Sequence, residues 1–302
     1  MLKGLYNIPS FSDFGMTLAQ GLLQADIELA DALILLPNRR ACRTLQTTFL
    51  RLREGEAMLL PRMVPMGDLS DEDAVGEAIA GGLDADALPD SDLDLPDAWP
   101  KLQRESVLAE LVAQKDGSLS QDHVMALAQE LARLMDQIET EGLDAKDFEG
   151  LVERSELAEH WEKSLLFLRI LYQVWPGIED QYGQISAAKR RRLSVEGQIK
   201  RWALAPPAGP VIAAGTTGSI PSTRALLAAV LDLPQGVVVL PGMDPDLSAE
   251  TWKQVAHEVT HPQYGFYELL HACDRSPDEV AAWPWIDHQA QEPRTQLLSK
   301  AL

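Results

Sequence analysis

Residues 210–242 have the sequence PVIAAGTTGSIPSTRALLAAVLDLPQGVVVLPG. Two short apolar runs, PVIAAG and QGVVVLPG, are typical of strands, and the second is continuous enough to be buried on both faces. Between them lie a loop, TTGSIP, and the run STRALLAAVLDL, whose apolar residues recur at helical spacing. A strand, a helix and a second strand in this order form a βαβ unit. The stretch therefore predicts a parallel sheet, because parallel strands need a crossover connection.

The N-terminal region has the same organisation. LYNI (5–8) predicts a strand, DFGMTLAQGLL (13–23) a helix and ADALILLP (30–37) a second strand. Asn38 is a favourable N-cap for the helix that follows, and MLLPRMVPM (58–66) predicts a further extended segment. Apart from this shared architecture, the two regions show no sequence similarity. Both ends of the chain are therefore expected to contribute α/β units.

The middle of the chain has the periodicity of long helices. HVMALAQELARLMDQIETEG (123–142) ends at Gly142, a plausible C-cap, and ELAEHWEKSLLFLRILYQVW (156–175) is expected to stop at Pro176. One face of the first helix is apolar, and we expect it to be buried. Its residues are Val124, Leu127, Leu131, Leu134, Met135 and Ile138. The outline is an α/β domain with a helical domain inserted into it.

These patterns divide the 302 residues into four parts. Residues 1–67 form the first part of the α/β domain, and residues 68–98 form an acidic loop without lysine or arginine. Residues 99–205 form the inserted helical domain, and residues 206–302 the second part of the α/β domain. Like charges repel and little of the acidic stretch can be buried. We expect it to be a solvated, mobile loop and not a DNA-mimicking or docking strip.

Composition excludes several classes of protein. With 46 % hydrophobic residues the chain is globular, and its net charge of −20 excludes a generally basic nucleic-acid-binding surface. Any contact with nucleic acid must therefore be a local patch. The only cysteines, Cys42 and Cys273, cannot form a four-thiolate zinc or iron–sulfur site. Without a membrane-spanning run or a signal peptide, the chain is expected to be cytoplasmic.

One motif suggests a metallopeptidase. His257, Glu258 and His261 match H-E-x-x-H, in which two histidines one helical turn apart hold zinc and the glutamate activates water. That geometry needs a helix through the second histidine. Pro262 follows at once, and the residue before a proline is disfavoured in helical conformation. We therefore expect the helix to end before His261 and the match to be coincidental, with a zinc peptidase kept as an alternative.

A phosphate-binding loop is the usual expectation for a βαβ unit. The pattern G-x-x-x-x-G-K-[ST] does not occur in the sequence. The turn from Gly215 to Ser219 lies between a strand and a helix, but it has no lysine to reach the phosphates. The first strand–helix connection, Pro9 to Ser12, lacks both the glycines and the lysine. We therefore expect no ATP site in this chain.

Two clusters of basic residues remain. Arg39, Arg40 and Arg43 begin a helix directly after a predicted parallel strand, at the sheet edge where ligands usually bind. Guanidinium groups have a geometry that suits phosphates, although a solvated surface is an equal alternative. The run from Lys189 to Arg192 is interpreted as a solvated segment between helices. Cys42 lies within the helix and is expected to be buried.

The sequence resembles the AddB family of double-strand break repair proteins, of the alphaproteobacterial type. The resemblance covers essentially the whole chain. The stretches that carry it include YNIPSFSDFGMTLAQGLL, ADALILLPNRRACRTLQTTFL, AEHWEKSLLFLRILYQVWP, AAGTTGSIPSTRALLAAV and HPQYGFYELL. It implies a RecA-like α/β fold, with a parallel sheet, helices on both faces and an inserted all-helical domain. The HPQYG match explains the zinc-like motif as a family turn.

The resemblance also implies a function. Members of this family form one subunit of a heterodimeric helicase–nuclease that resects broken DNA ends for homologous recombination. The implied partners are DNA and an AddA-type motor subunit, and no membrane is involved. The implied DNA-binding candidates are Arg39, Arg40, Arg43, Thr216, Thr217 and Ser219. Of these, the three arginines are expected to contact the phosphate backbone without reading bases.

Several departures from the family limit the expected activity. Family members are much longer, and their nuclease domain and iron–sulfur cysteines lie toward the C-terminus. The chain ends at Leu302 within QLLSKAL, a helical pattern without a stop signal, so we expect an N-terminal portion. The expectation is a non-catalytic, helicase-like chain without catalytic residues, metal or cofactor. A structural interaction module without DNA contact is a further alternative.

Overall fold

The computed structural model describes residues 2–54, 56–66, 95–115, 117, 119–143 and 170–286. Contacts between Cα atoms divide the chain into two units. The α/β unit comprises Met1–Ser91 and Gln198–Leu302, and the helical unit comprises Asp92–Gly197. The sequence predicted residues 99–205 for the inserted domain. The helical unit begins seven residues before that range begins and ends eight residues before that range ends. The second division falls inside a helix.

The described residues contain eight strands and nine α-helices. The strands are β1 (Gly4–Ile8), β2 (Leu33–Leu36), β3 (Arg62–Pro65), β4 (Asp97–Ala98), β5 (Gln184–Ile185), β6 (Val211–Ala214), β7 (Gly236–Pro241) and β8 (Ala281–Ala282). The helices are α1 (Phe14–Gln24), α2 (Arg39–Leu52), α3 (Lys101–Lys115), α4 (Gln121–Glu141), α5 (Trp175–Tyr182), α6 (Ala187–Leu204), α7 (Pro221–Asp232), α8 (Ala249–Val255) and α9 (Tyr264–Ala272). All strands and helices predicted for 4–66 and 210–242 are present.

Six strands form one sheet in the order β3-β2-β6-β7-β1-β8. Every neighbouring pair is parallel. β2 pairs with β6, so that Ile34 lies opposite Ile212, and β1 pairs with β7, so that Leu5 lies opposite Val238. Strands from the two ends of the chain are therefore interleaved in one sheet, and the prediction of a RecA-like parallel sheet is confirmed.

Helices cover both faces of this sheet. Side chains alternate along a strand, so Val237 and Val239 of β7 face one side and Val238 faces the other. The first side packs with α1 and α2 in one core, which includes Leu22 and Phe49. α7 contacts β6 and β7 with a separate set of buried residues, on the opposite face. The sheet is thus buried on both faces, as its continuous apolar strands predicted.

Local capping explains where three helices begin or end. Asp13 and Asn38 accept hydrogen bonds from the backbone N–H groups of Met16 and Ala41, at 2.9 and 2.8 Å, and cap α1 and α2. Gly142 ends α4 in the left-handed conformation, with φ of 65°, which glycine adopts without a steric penalty. The predictions for Asn38 and Gly142 are confirmed.

The helical unit has its own core, formed mainly by α3, α4 and Trp175. Leu131 and Met135 of α4 are buried as predicted. Leu134 is 39 % exposed, because the buried stripe is completed by the small residues Ala128 and Ala132. In the described part of this unit, the only strands are β4 and β5, which pair in parallel over two residues.

Two boundary predictions are wrong. Pro176 does not stop a helix: a π-helical turn, Ile170–Val174, leads into α5, where the proline occupies the first turn. Proline is tolerated there because the first N–H groups of a helix have no intrahelical partner. The acidic loop predicted for 68–98 does not extend to residue 98, since Asp97 and Ala98 form β4. Its residues up to 94, and the predicted helix before Ile170, lie outside the described residues.

Among the described residues, no helix combines the length and the apolar character needed to cross a lipid bilayer.

Candidate functional site

The candidate site is the carboxyl edge of the six-stranded sheet. In a parallel sheet, all strands end at the same edge, and the loops there are where ligands usually bind. The loops that follow the four central strands meet at this edge. They start after Ile8 of β1, Leu36 of β2, Ala214 of β6 and Pro241 of β7.

Two glycines allow these loops to approach one another. Gly215 has φ of 79°, and a β-carbon there would lie 3.2 Å from the ring of Phe14 and 3.6 Å from Pro37. Gly242 has φ of 88°, and a β-carbon there would lie 3.2 Å from the β-carbon of Ser10. Both positions combine a left-handed backbone with a close neighbour, so both favour glycine. The four loops therefore pack against one another as one surface.

Asn7 fixes two of these loops together. Its side chain is buried; Nδ2 donates to the carbonyl of Met243 at 2.7 Å, and Oδ1 accepts from the N–H of Met243 at 2.9 Å. The N–H of Gly242 donates to the carbonyl of Ile8 at 2.8 Å. A buried amide whose groups are paired in this way holds the backbone in one position. The sequence interpretation missed Asn7, although a polar residue within the apolar strand GLYNI was the available signal.

The predicted arginines lie at the start of α2, directly after β2. Arg39 is half-buried, whereas Arg40 and Arg43 are exposed and three residues apart on the helix. In the part of the chain that the structure describes, neither Arg40 nor Arg43 has a side-chain hydrogen bond or ion pair. Two guanidinium groups on one side of the first helical turns are thus open to an anionic ligand.

The predicted hydroxyl residues lie on the adjacent loop, after β6. Thr216 Oγ1 accepts a hydrogen bond from the N–H of Gly218 at 3.2 Å and so stabilises the turn itself. Thr217 lies against the first turn of α9, where a β-carbon on Gly265 would be 3.4 Å from its side chain. Ser219 is exposed. The predicted arginines and the predicted hydroxyl residues therefore lie at the same edge of the sheet. Among the hydroxyl residues, Ser219 is the most exposed.

The connection after β1 is a compact turn. The N–H of Ser12 donates to the carbonyl of Pro9 at 3.1 Å, and Phe14 packs beside Gly215. This segment lies where a nucleotide-binding βαβ unit has its phosphate loop. Residues 9–12 provide neither a row of glycines nor a lysine for phosphates. The carboxyl edge of the sheet therefore has cationic side chains at the start of α2 but not at the start of α1.

The H-E-x-x-H match does not form a zinc ligand pair on one helix. α8 ends at Val255, before either histidine, and this part of the prediction is confirmed. His261 Nδ1 accepts a hydrogen bond from the N–H of Gln263 at 3.1 Å. The Glu258 side chain accepts from the hydroxyl of Thr260, which lowers the pKa of Glu258. The motif thus forms the turn between α8 and α9.

The second basic run is not a solvated segment between helices. Lys189 to Arg192 lie within α6 and are all half-buried. Lys189 Nζ lies 2.6 Å from Glu179, and Arg192 pairs with Glu139 and Glu196 at 3.4 and 2.8 Å. The solvated interpretation was wrong because the run faces carboxylates of its own unit. Cys42 is buried as predicted, and burial raises the pKa of its thiol.

Comparisons with known proteins found no family model that matches the chain and no curated protein that matches it at a significant level. In the described residues, no group of three or more histidine, cysteine, aspartate or glutamate side chains could hold a metal ion.

Proposed function

We propose that this chain is the non-catalytic, helicase-like part of a DNA double-strand break repair subunit of the AddB type. In this proposal it guides DNA and docks an AddA-type motor subunit during end resection in the cytoplasm. One observation carries the DNA-binding part. Arg40 and Arg43 are exposed and without side-chain partners at the ligand-binding edge of a parallel sheet, beside the loop that holds Ser219.

The chemistry of this edge suits a phosphodiester backbone. Guanidinium groups form charge-assisted, often bidentate hydrogen bonds with phosphate oxygens. Such contacts position a nucleic acid without reading its sequence. The side chain of Ser219 adds a neutral donor on the neighbouring loop. Because the chain carries a net charge of −20, the contact is local, and the motor subunit supplies further affinity.

The connection after β1 favours a guiding role over nucleotide hydrolysis. In the proposed arrangement, the Pro9–Ser12 turn replaces a phosphate-binding loop, and its neighbours Phe14 and Gly215 close the space beside it. ATP turnover then belongs to the motor subunit. A stable one-to-one complex on co-purification with that subunit supports the docking role, and a well-folded chain that forms no complex contradicts it.

The DNA contact is tested by the salt dependence of binding to single-stranded DNA. We expect the Arg40→Ala/Arg43→Ala variant to bind more weakly, with a salt slope shallower by about 1.4, because two phosphate contacts are lost. The matched control is Arg51→Ala/Arg62→Ala. It removes two exposed arginines, at the opposite end of α2 and the start of β3, whose side chains have no partner among the described residues. The control is expected to keep the slope of the original chain.

Equal slopes for both double variants would overturn the DNA-binding proposal. That result would favour the alternative of an interaction module without DNA contact. The zinc-peptidase alternative gains no support from the geometry, since the two histidines lie in the turn after α8.

A further inference from the structure

Three aromatic side chains form a row on α9. The rings of Tyr264 and Tyr267 have centroids 6.3 Å apart, and those of Tyr267 and His271 are 6.1 Å apart. Neighbouring ring planes are tilted by only 33° and 36°. The three residues are spaced three and four positions apart, so they share one face of the helix. We call Tyr264, Tyr267 and His271 the aromatic row.

The aromatic row lies on the outer face of the helix. The opposite face consists of Phe266, Leu269 and Leu270, which are all buried. Tyr264 and Tyr267 are half-buried and His271 is exposed. Aromatic residues on an amphipathic helix are ordinarily part of its core face. Here the core face is complete without them, so their position needs a different explanation.

The row begins at the candidate site. The first turn of α9 contacts the loop after β6, through Gly265 and Thr217. The side chain of Gln263, just before the helix, accepts a hydrogen bond from the N–H of Asp244 at 2.9 Å, in the loop after β7. α9 therefore starts at the carboxyl edge of the sheet. The eight residues from Tyr264 to His271 extend the surface by about 10 Å along the helix.

The carboxylate that lies within the aromatic row is paired with a cation. Glu268 lies on α9 between the rings, and its carboxylate pairs with Arg224 of α7 at 3.4 Å. Desolvation, followed by the neighbouring Glu268, raises the pKa of the Tyr264 phenol, so its ring stays neutral at physiological pH. A row of aromatic rings that is half-buried at Tyr264 and Tyr267 and exposed at His271, beside a paired guanidinium, is compatible with a polyanion that carries π-systems.

We propose that the aromatic row stacks against unpaired bases of a single DNA strand whose phosphates are held at the carboxyl edge. This inference rests on the proposed function and adds the strand type that is bound. Unpaired bases expose their faces, and stacking on aromatic side chains is tolerant of sequence. Bases inside a duplex are already stacked on one another and cannot use these rings. The edge then holds the backbone, and the row prefers single-stranded DNA.

The test compares two ligands with the same phosphates, using the complete 302-residue chain. One is oligothymidine of about 15 nucleotides, and the other is an abasic oligomer of equal length. Tyr264→Ala and Tyr267→Ala are each expected to weaken oligothymidine binding by about fivefold to a hundredfold. Their binding to the abasic oligomer should not change. Tyr264→Phe and Tyr267→Phe keep the ring, fold normally and should retain oligothymidine affinity.

The outcomes separate this inference from the proposed function. Suppose that Arg40→Ala/Arg43→Ala loses binding to both oligomers, whereas the tyrosine-to-alanine variants bind oligothymidine normally. This result would overturn the stacking inference alone. Equal weakening of both ligands by the tyrosine-to-alanine variants would also overturn it, because bases would then play no part. Failure of the original chain to bind either oligomer would overturn both proposals. If the tyrosine-to-alanine variants lose affinity for oligothymidine alone and the tyrosine-to-phenylalanine variants retain it, the result supports base stacking on the aromatic row.

Discussion

Trp283 packs directly against Gly21, although the two residues come from opposite ends of the described α/β unit. The indole is fully buried, and its Nε1 donates to the carbonyl of Thr17 at 3.1 Å, from a position 266 residues away. A β-carbon on residue 21 would overlap the indole ring. Because Trp283 follows directly after β8, this contact joins the edge strand of the sheet to α1.

The first prediction concerns this contact. Gly21→Ala should destabilise the protein by about 1–3 kcal/mol, since a rigid indole in a packed core must move to admit the new methyl group. The measurement is the free energy of unfolding from urea denaturation, followed by tryptophan fluorescence. The matched control lies on the same helix: a β-carbon on Gly15 has its nearest neighbour at 3.7 Å, an ordinary contact. Gly15→Ala should be neutral or stabilise by up to about 1 kcal/mol. Equal effects of the two substitutions would contradict the packing described for Trp283.

The second prediction concerns a buried carboxylate in the helical unit. Glu179 is buried, and its Oε2 accepts from Lys189 Nζ at 2.6 Å. Its Oε1 accepts from the indole of Trp175 at 3.2 Å and from the N–H of Ser186 at 3.3 Å. Removal of the carboxylate leaves these donors without their partner. Glu179→Ala should therefore cost about 2–3 kcal/mol of the free energy of unfolding.

An exposed ion pair on α4 is the control for Glu179. Arg133 and Glu130 lie 2.8 Å apart, with side chains 63 % and 68 % exposed. Exposed pairs contribute little because water and salt screen them. Glu130→Ala should change the free energy of unfolding by no more than about 0.5 kcal/mol. If Glu179→Ala also lowered the free energy of unfolding by no more than about 0.5 kcal/mol, the buried network would not be needed for stability.

The third prediction concerns the reactivity of Cys273. Burial, with a smaller effect of the Asp232 carboxylate, raises the pKa of this thiol from 9.0 to about 11. The reactive form is the thiolate, whose fraction at about pH 8 falls roughly a hundredfold when the pKa rises by two units. In a Cys42→Ser background, iodoacetamide should modify the folded protein about a hundredfold more slowly than the urea-unfolded protein. The rate in the folded protein should still rise about tenfold per pH unit above pH 9. A plateau near pH 9 would show an unperturbed thiol.

Part of the candidate site could be predicted from the sequence. An apolar run followed by Asn38 indicated a strand and a capped helix, which places Arg40 and Arg43 beside the end of a strand. The partners of other site residues could not be predicted. Thr216 carries a hydroxyl like that of Ser219, but its Oγ1 is used by the N–H of Gly218 within the turn. That difference depends on backbone geometry that residue type does not specify.

The aromatic row shows the same limit. Helical spacing alone does not tell whether Tyr264 and Tyr267 face the core or the surface. The answer depends on Phe266 and Leu269, which are buried in a helix that packs against α7 and α8. The packing of α9 therefore decides which aromatic side chains remain available to a ligand.

By itself, the sequence determined the strands and helices of residues 4–66 and 210–242, the cap at Asn38, the helix end at Gly142 and the parallel class of the sheet. These features depend on periodicity and on interactions between residues close in the chain. Only the tertiary structure decided that β2 pairs with β6, that β8 joins the sheet beside β1, that Trp283 reaches Gly21 and that Lys189 pairs with Glu179. The physical reason is that hydrophobic burial is non-directional. It specifies which side chains leave water, whereas the partner of each buried group is chosen by the packing of segments that are distant in sequence.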